Sequence, residues 1–286
     1  MRRLERRLRL ATGLVIAGFV VPHFLNHALG VVSFESMDRM RAGLALWWRS
    51  PPGTVLLYGS LFIHFLLALA SLYRRTTLRM PAWEAAQIVL GLAIPPLLIG
   101  HVVGTRFTWW LLEHNIGYPR VVGVLWSDPW AAARQSALLV LAWGHLCFGL
   151  HFWLRLRPWY PGAQPLAFAA ALLVPAAALA GFSAAGSSMM PLVQRMGGIL
   201  NYDLELGATS AEERALLAAW REGLLWGFWL LVAATLLARW LRTHIGAAYQ
   251  LTHSSGRIIT APVGRSLLEA VRDAGLPHAS VCGGRA

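Results

Sequence analysis

The chain has 286 residues, of which 57% are hydrophobic and only 13% charged, with a mean hydropathy of +0.53. That composition excludes an ordinary soluble domain and predicts residence in a membrane. The cations behind the formal net charge of +12 are all arginines, split among short stretches beside apolar segments, which marks a membrane topology signal and not a nucleic-acid surface.

Along the chain, apolar stretches long enough to cross about 30 Å of hydrocarbon lie near 10–32, 54–73, 84–105, 135–154, 165–186 and 223–241. Six spans put both termini on one side. Arg2, Arg3, Arg6, Arg7 and Arg9 precede the first span, Arg74, Arg75 and Arg79 follow the second, Arg155 and Arg157 the fourth, and Arg239 and Arg242 the sixth, so those ends are predicted to face the cytoplasm. The first span follows an arginine cluster like that of a signal peptide. It carries Pro22, His23 and His27 and no small-residue cleavage site, so it reads as a retained helix. Residues 33–53 and 106–134 read as interfacial loops rich in Trp and Arg. Between Ser187 and Trp220, Ser210-Ala211-Glu212-Glu213 predicts the start of a short amphipathic helix. Residues 244–286 change to a soluble pattern. The cysteines, Cys147 in the fourth span and Cys282 near the end, exclude a disulfide framework.

The first four spans carry histidines at membrane depth: His23 and His27, His64, His101 and His145. Ionisable side chains are rare there, and imidazoles from four helices suggest two bis-histidine centres, most plausibly b-type haems. At 1.5 Å per helical residue, His64 and His145 lie roughly 15 Å from the inner boundary, and His101, His23 and His27 roughly 21–27 Å from it. The predicted pairs are the first helix with the third and the second with the fourth. Depth prefers His27 as partner of His101. Gly13 and Gly91, each ten residues before His23 and His101 where a helix would pass the inner macrocycle, favour His23. Hydrogen-bonded core histidines are the plain alternative. His151 is placed near the interface, His114 in a loop, and His244, His253 and His278 outside the membrane. Asn26, Ser60 and Arg106 are candidates by position to tune the centres.

The run Ala11-Thr12-Gly13-Leu14 before His23, and Gln87 with Gly91 before His101, resemble the first and third haem-bearing helices of the dihaem cytochrome b anchors of succinate dehydrogenases and fumarate reductases. His145-Leu146-Cys147-Phe148-Gly149-Leu150 is similar to the fourth, and His64 falls where the second expects its ligand. The resemblance covers roughly the first 190 residues and implies His23 with His101 on an outer haem b and His64 with His145 on an inner one. It also implies a quinone pocket beside the outer haem, for which Asn26, His27 and Arg106 are the candidates by position.

The tail, Gly264-Arg265-Ser266-Leu267-Leu268-Glu269-Ala270 and then Gly275 to Gly284, resembles the opening of a plant-type ferredoxin of β-grasp fold. There a hairpin, with Ile258 and Ile259 after Ser255-Gly256, and a short helix lead to the first cysteine of a [2Fe–2S] loop. Cys282 is that cysteine. With the sequence ending at Ala286, the chain is read as stopping inside this domain, so the cluster belongs to the full-length protein.

The expected fold is therefore an all-α membrane protein, a six-helix bundle over 1–243 with a dihaem four-helix core, followed by a truncated ferredoxin start over 244–286. That order resembles the regulatory half of bacterial class III adenylate cyclases. The resemblance implies a multi-pass protein of the bacterial inner membrane, a homodimer in lipid without nucleic acid, that senses quinone redox state and regulates a downstream cyclase making cAMP from ATP. No catalytic residue is expected in these 286 residues. The rivals are a respiratory quinone oxidoreductase subunit and a cofactor-free transporter or receptor whose histidines relay protons.

Overall fold

The computed structural model describes residues 2–114, 117–199 and 209–276. Six helices are long and apolar enough to cross a membrane, as a multi-pass membrane protein requires: α1 (Arg2–Ala28), α3 (Pro51–Arg74), α4 (Ala82–Val102), α7 (Pro129–Leu154), α8 (Tyr160–Arg195) and α9 (Ala211–His244). Shorter helices α2 (Phe34–Trp48), α5 (Thr108–Leu112) and α6 (Tyr118–Trp126) lie between them. The ends follow local chemistry. The Asp128 side chain caps α7 by accepting from the Trp130 amide at 2.9 Å, with Pro129 next, where its missing amide costs nothing.

The stretches read as interfacial loops are thus largely helical. Ser33 caps α2 by accepting from the Ser36 amide at 3.1 Å. Met37 of α2 and Tyr118 and Val122 of α6 are buried against Ala185 of α8, an apolar seam that the surrounding Trp and Arg residues mask in the sequence. The predicted capping box at Ser210 forms, with the Glu213 amide donating to Ser210 at 3.1 Å and the Ser210 amide to Glu213 at 2.6 Å. It opens the 34-residue α9 rather than a separate short helix.

The chain divides into two units, Met1–Leu66 with Pro81–Phe228, and Leu67–Met80 with Trp229–Ala286. In the first, α1, α7 and α8 pack through Phe24, Leu139, Trp143 and Ala178. Gly30 and Gly181 let α8 approach the end of α1: a Cβ on Gly181 would run into the His27 carbonyl oxygen, and one on Gly30 into that of Gly181. Packing between membrane helices depends on such small residues because lipid supplies no hydrophobic drive.

In the second unit, β1 (Ala248–Thr252) pairs antiparallel with β2 (Ile258–Pro262), Gln250 opposite Thr260. Gly256 turns the hairpin at φ 81°, a left-handed value favouring glycine. Helix α10 (Leu267–Asp273) starts with a complete Ser266–Glu269 capping box and buries Ala270 and Val271 against Ile259 and Ala261. Cys282 and His278 lie outside the described residues.

Candidate functional site

The first unit brings the intramembrane histidines into two pairs from facing helices. The His23 and His101 rings, from α1 and α4, have centroids 6.1 Å apart, and the His64 and His145 rings, from α3 and α7, lie 6.2 Å apart. A metal ion bound about 2 Å from one nitrogen of each of two opposed imidazoles would separate the centroids by about 6 Å. Among the described residues no three His, Cys, Asp or Glu side chains gather as a metal site. A haem supplies four nitrogens itself and asks only two axial ligands of the protein, which matches these donor sets.

Around His64 and His145 the helices are thinned. A Cβ on Gly13 of α1 would come within 3.3 Å of the His64 ring, and one on Gly91 of α4 within 2.9 Å of the His145 ring. Thr12 Oγ1 stands 3.2 Å from His64 Nδ1. Gln87 donates to the His145 carbonyl oxygen at 3.2 Å, while His145 Nδ1 is buried with no partner. The motif residues Thr12, Gly13, Gln87 and Gly91 thus surround the inner pair.

At the outer pair, His23 is the ring facing His101, and it stacks on Phe19 at 5.1 Å. His27, one turn on, brings its Nε2 to within 3.3 Å of His23 Nε2. The His27 ring lies edge-on to Tyr118 and Phe182, and its Nδ1 is buried without a partner.

A cleft of about 170 Å³ adjoins this pair. His23, His27, His101, Asn26 and Arg106, all singled out in the sequence, line it. Asn26 is almost wholly buried and donates to the Tyr118 hydroxyl at 2.7 Å, leaving its own oxygen without a partner. A π-helical turn, Val103–Phe107, begins two residues after His101 and carries Arg106, which lines the cleft. Arg106 donates to Thr54 at 2.7 Å and lies over the Trp109 ring at 4.4 Å, with its Nη1 buried and unpartnered. Ser60 is buried.

Sequence reasoning missed other lining residues: Arg41, Arg49, Tyr58, Tyr118 and Gln135. Gln135 is near enough to His101 to act on it electrostatically. Burial lowers the pKa of the Arg49 guanidinium, and the Arg41 and Arg106 charges add to the shift, so three cations converge on one apolar cleft. Burial raises the Tyr118 hydroxyl above its ordinary value. Arg41 and Arg49 sit in a stretch read as loop, and only their spacing on α2 and at its end could have signalled a shared face. Within the first unit His151 meets the Tyr160 hydroxyl at 3.0 Å and His114 meets Glu213 at 3.2 Å, apart from both pairs.

Compared with models of protein families, with curated proteins and with solved structures, the chain matches none.

Proposed function

We propose that this protein is a dihaem b membrane electron carrier, with His23 and His101 holding an outer haem and His64 and His145 an inner one. The observation that carries the reading is the two imidazole pairs at 6.1 and 6.2 Å, each drawn from two facing helices, with glycines of α1 and α4 against the inner pair. Bound there, haem supplies one-electron oxidation and reduction. The chain's own residues would hold the axial nitrogens, with Phe19 stacked on the His23 ring, and present the buried donor Arg106 and acceptor Asn26 to the outer cleft. A quinone headgroup, with two carbonyls on an apolar ring, suits that mixture of arginine, amide, histidine and aromatic side chains.

On this reading quinol is oxidised at the outer cleft, and the redox state reaches the cytoplasmic tail, where the family resemblance places a ferredoxin and then an adenylate cyclase. Assay of the purified chain by pyridine haemochrome against protein concentration tests the premise, with a ratio near two expected. A ratio near one removes the two-layer arrangement. Cyclase activity of the full-length protein at poised quinone potentials tests the coupling, and activity indifferent to potential while the haems change oxidation state overturns it.

One observation favours a second reading. His23 and His27 touch directly through Nε2 at 3.3 Å, the contact a proton relay without a cofactor would use. A haemochrome ratio near zero selects it.

A further inference from the structure

The second unit contains a separate cleft. The chain after α3, the last turn of α9 and the turn after β2 meet there, and Thr76, Thr77, Arg239, Thr243, His244 and Arg265 line it with Leu78 and Pro262. The arginines are fixed in place. Arg239 donates through Nε to the Arg75 carbonyl at 2.8 Å and through Nη2 to the Thr76 carbonyl at 3.3 Å, and Arg265 donates to that same Thr76 oxygen at 3.3 Å. Arg242, donating to the Tyr73 carbonyl at 2.6 Å, adds a third cation beside them.

Carbonyl partners orient a guanidinium without neutralising it. The Arg239 charge feels those of Arg242 and Arg265, a repulsion that an anion would relieve. Asp273 offsets part of the Arg265 charge by pairing with its Nη1 at 2.7 Å, while Glu269 closes the α10 capping box and accepts from Thr76 at 3.3 Å. Among the described residues no carboxylate lines the cleft. Arg265 Nε is buried with no partner, a donor left over by the internal network. The N–H groups of Arg239 and Arg265 that these contacts leave over, the Thr77 hydroxyl and the His244 imidazole make a donor set for a tetrahedral oxyanion.

We propose that this cleft binds a phosphate group, held by Arg239 and Arg265 with Thr77 and His244 at its rim. The shared chemistry is a phosphate ester or free phosphate. The cleft sits at the water-side end of α9, whose apolar body precedes it, so a lipid headgroup and a soluble phosphate can both supply that chemistry.

The full chain, purified in neutral detergent, is titrated with inorganic phosphate at constant ionic strength while thermal unfolding is followed by tryptophan fluorescence. In parallel its unfolding is compared in nanodiscs of phosphatidylcholine alone and with phosphatidylglycerol added. A saturable upward shift with phosphate assigns a soluble ligand, and a shift with phosphatidylglycerol alone assigns a headgroup. In either arm Arg265→Gln weakens the response about tenfold, the loss of one charge-assisted contact. Because Arg265 also ties Thr76 and Asp273, His244→Gln serves as a second variant outside that network and is expected to weaken the response as well. No shift in either arm, or a shift that persists undiminished in the folded variants, overturns the proposal.

Discussion

The Thr12 oxygen stands 3.2 Å from Nδ1 of His64, and its own proton is directed to the α1 backbone, at 2.8 Å from the Leu8 carbonyl and 3.1 Å from that of Arg9. With that proton committed, the oxygen can accept from Nδ1–H, which leaves Nε2 as the unprotonated nitrogen, the form a metal ligand needs; the Arg9 backbone is a second polar partner of the same ring. Thr12→Val keeps the shape and removes the acceptor, so affinity at the His64–His145 site is expected to fall about 10- to 100-fold while the outer site is unaffected. Haem retained per chain after dilution, read with the reduced spectrum, measures it. Thr12→Ser restores retention if the hydroxyl matters. An inner-site signal unchanged in Thr12→Val would show that Thr12 only satisfies its own helix.

Gly91 gives a steric test of the same site. Its missing Cβ leaves room for the His145 ring, which even a methyl there would approach to 2.9 Å. Gly91→Leu is expected to displace His145 and empty the inner site, at a packing cost of about 1–3 kcal/mol. Gly100→Leu, on the same helix but with nothing within 4 Å of its Cβ, serves as the control. Equal haem content in the two variants would mean that the space beside His145 is not used.

The six long helices were legible because membrane crossing imposes a length and a composition that few other constraints disturb. The histidines were legible for the same reason, as polar groups in an apolar setting. Thr12 lay within a motif quoted from the sequence, yet a helical threonine ordinarily turns its hydroxyl to the preceding turn, so its second contact carried no signal. Helices α2 and α6 escaped because Met37, Tyr118 and Val122 find their apolar partner Ala185 more than sixty residues downstream, and no local pattern encodes that meeting. The Arg41–Arg49–Arg106 convergence needed both α2 and the π-helical turn to be placed first.

Asp38 predicts a pH response outside the spans. Its carboxylate accepts from Arg41 at 2.6 Å and from the Tyr118 amide at 3.3 Å, contacts that hold its pKa below the ordinary carboxylate value, the Arg41 bond being the larger cause. A depressed folded pKa contributes stability above the unfolded value of about 3.9 and loses it as pH falls through the folded one. Thermal midpoints measured from neutral pH downward should therefore decline in the acid range. Asp38→Asn should start lower at neutral pH and decline less. Parallel curves for the two proteins would show that Asp38 does not tie α2 to the start of α6.

The first-helix ligand is the sharpest choice the outer site offers. His23 Nε2 and His27 Nε2 lie 3.3 Å apart, too close for each to hold its own metal, so on the dihaem proposal one would be ligand and the other neighbour. His23 faces His101 at 6.1 Å, whereas His27 is boxed between Tyr118 at 5.6 Å and Phe182 at 6.3 Å, with its backbone carbonyl against Gly181. On that geometry His23→Ala is expected to lose the outer haem. His27→Ala should keep it and shift its potential, because a polar neighbour of the ligand is removed while the ligand stays. Haemochrome content and redox titration of both variants measure the difference. Should His27→Ala lose the haem and His23→Ala retain it, His27 is the ligand and simple helical depth was the better guide.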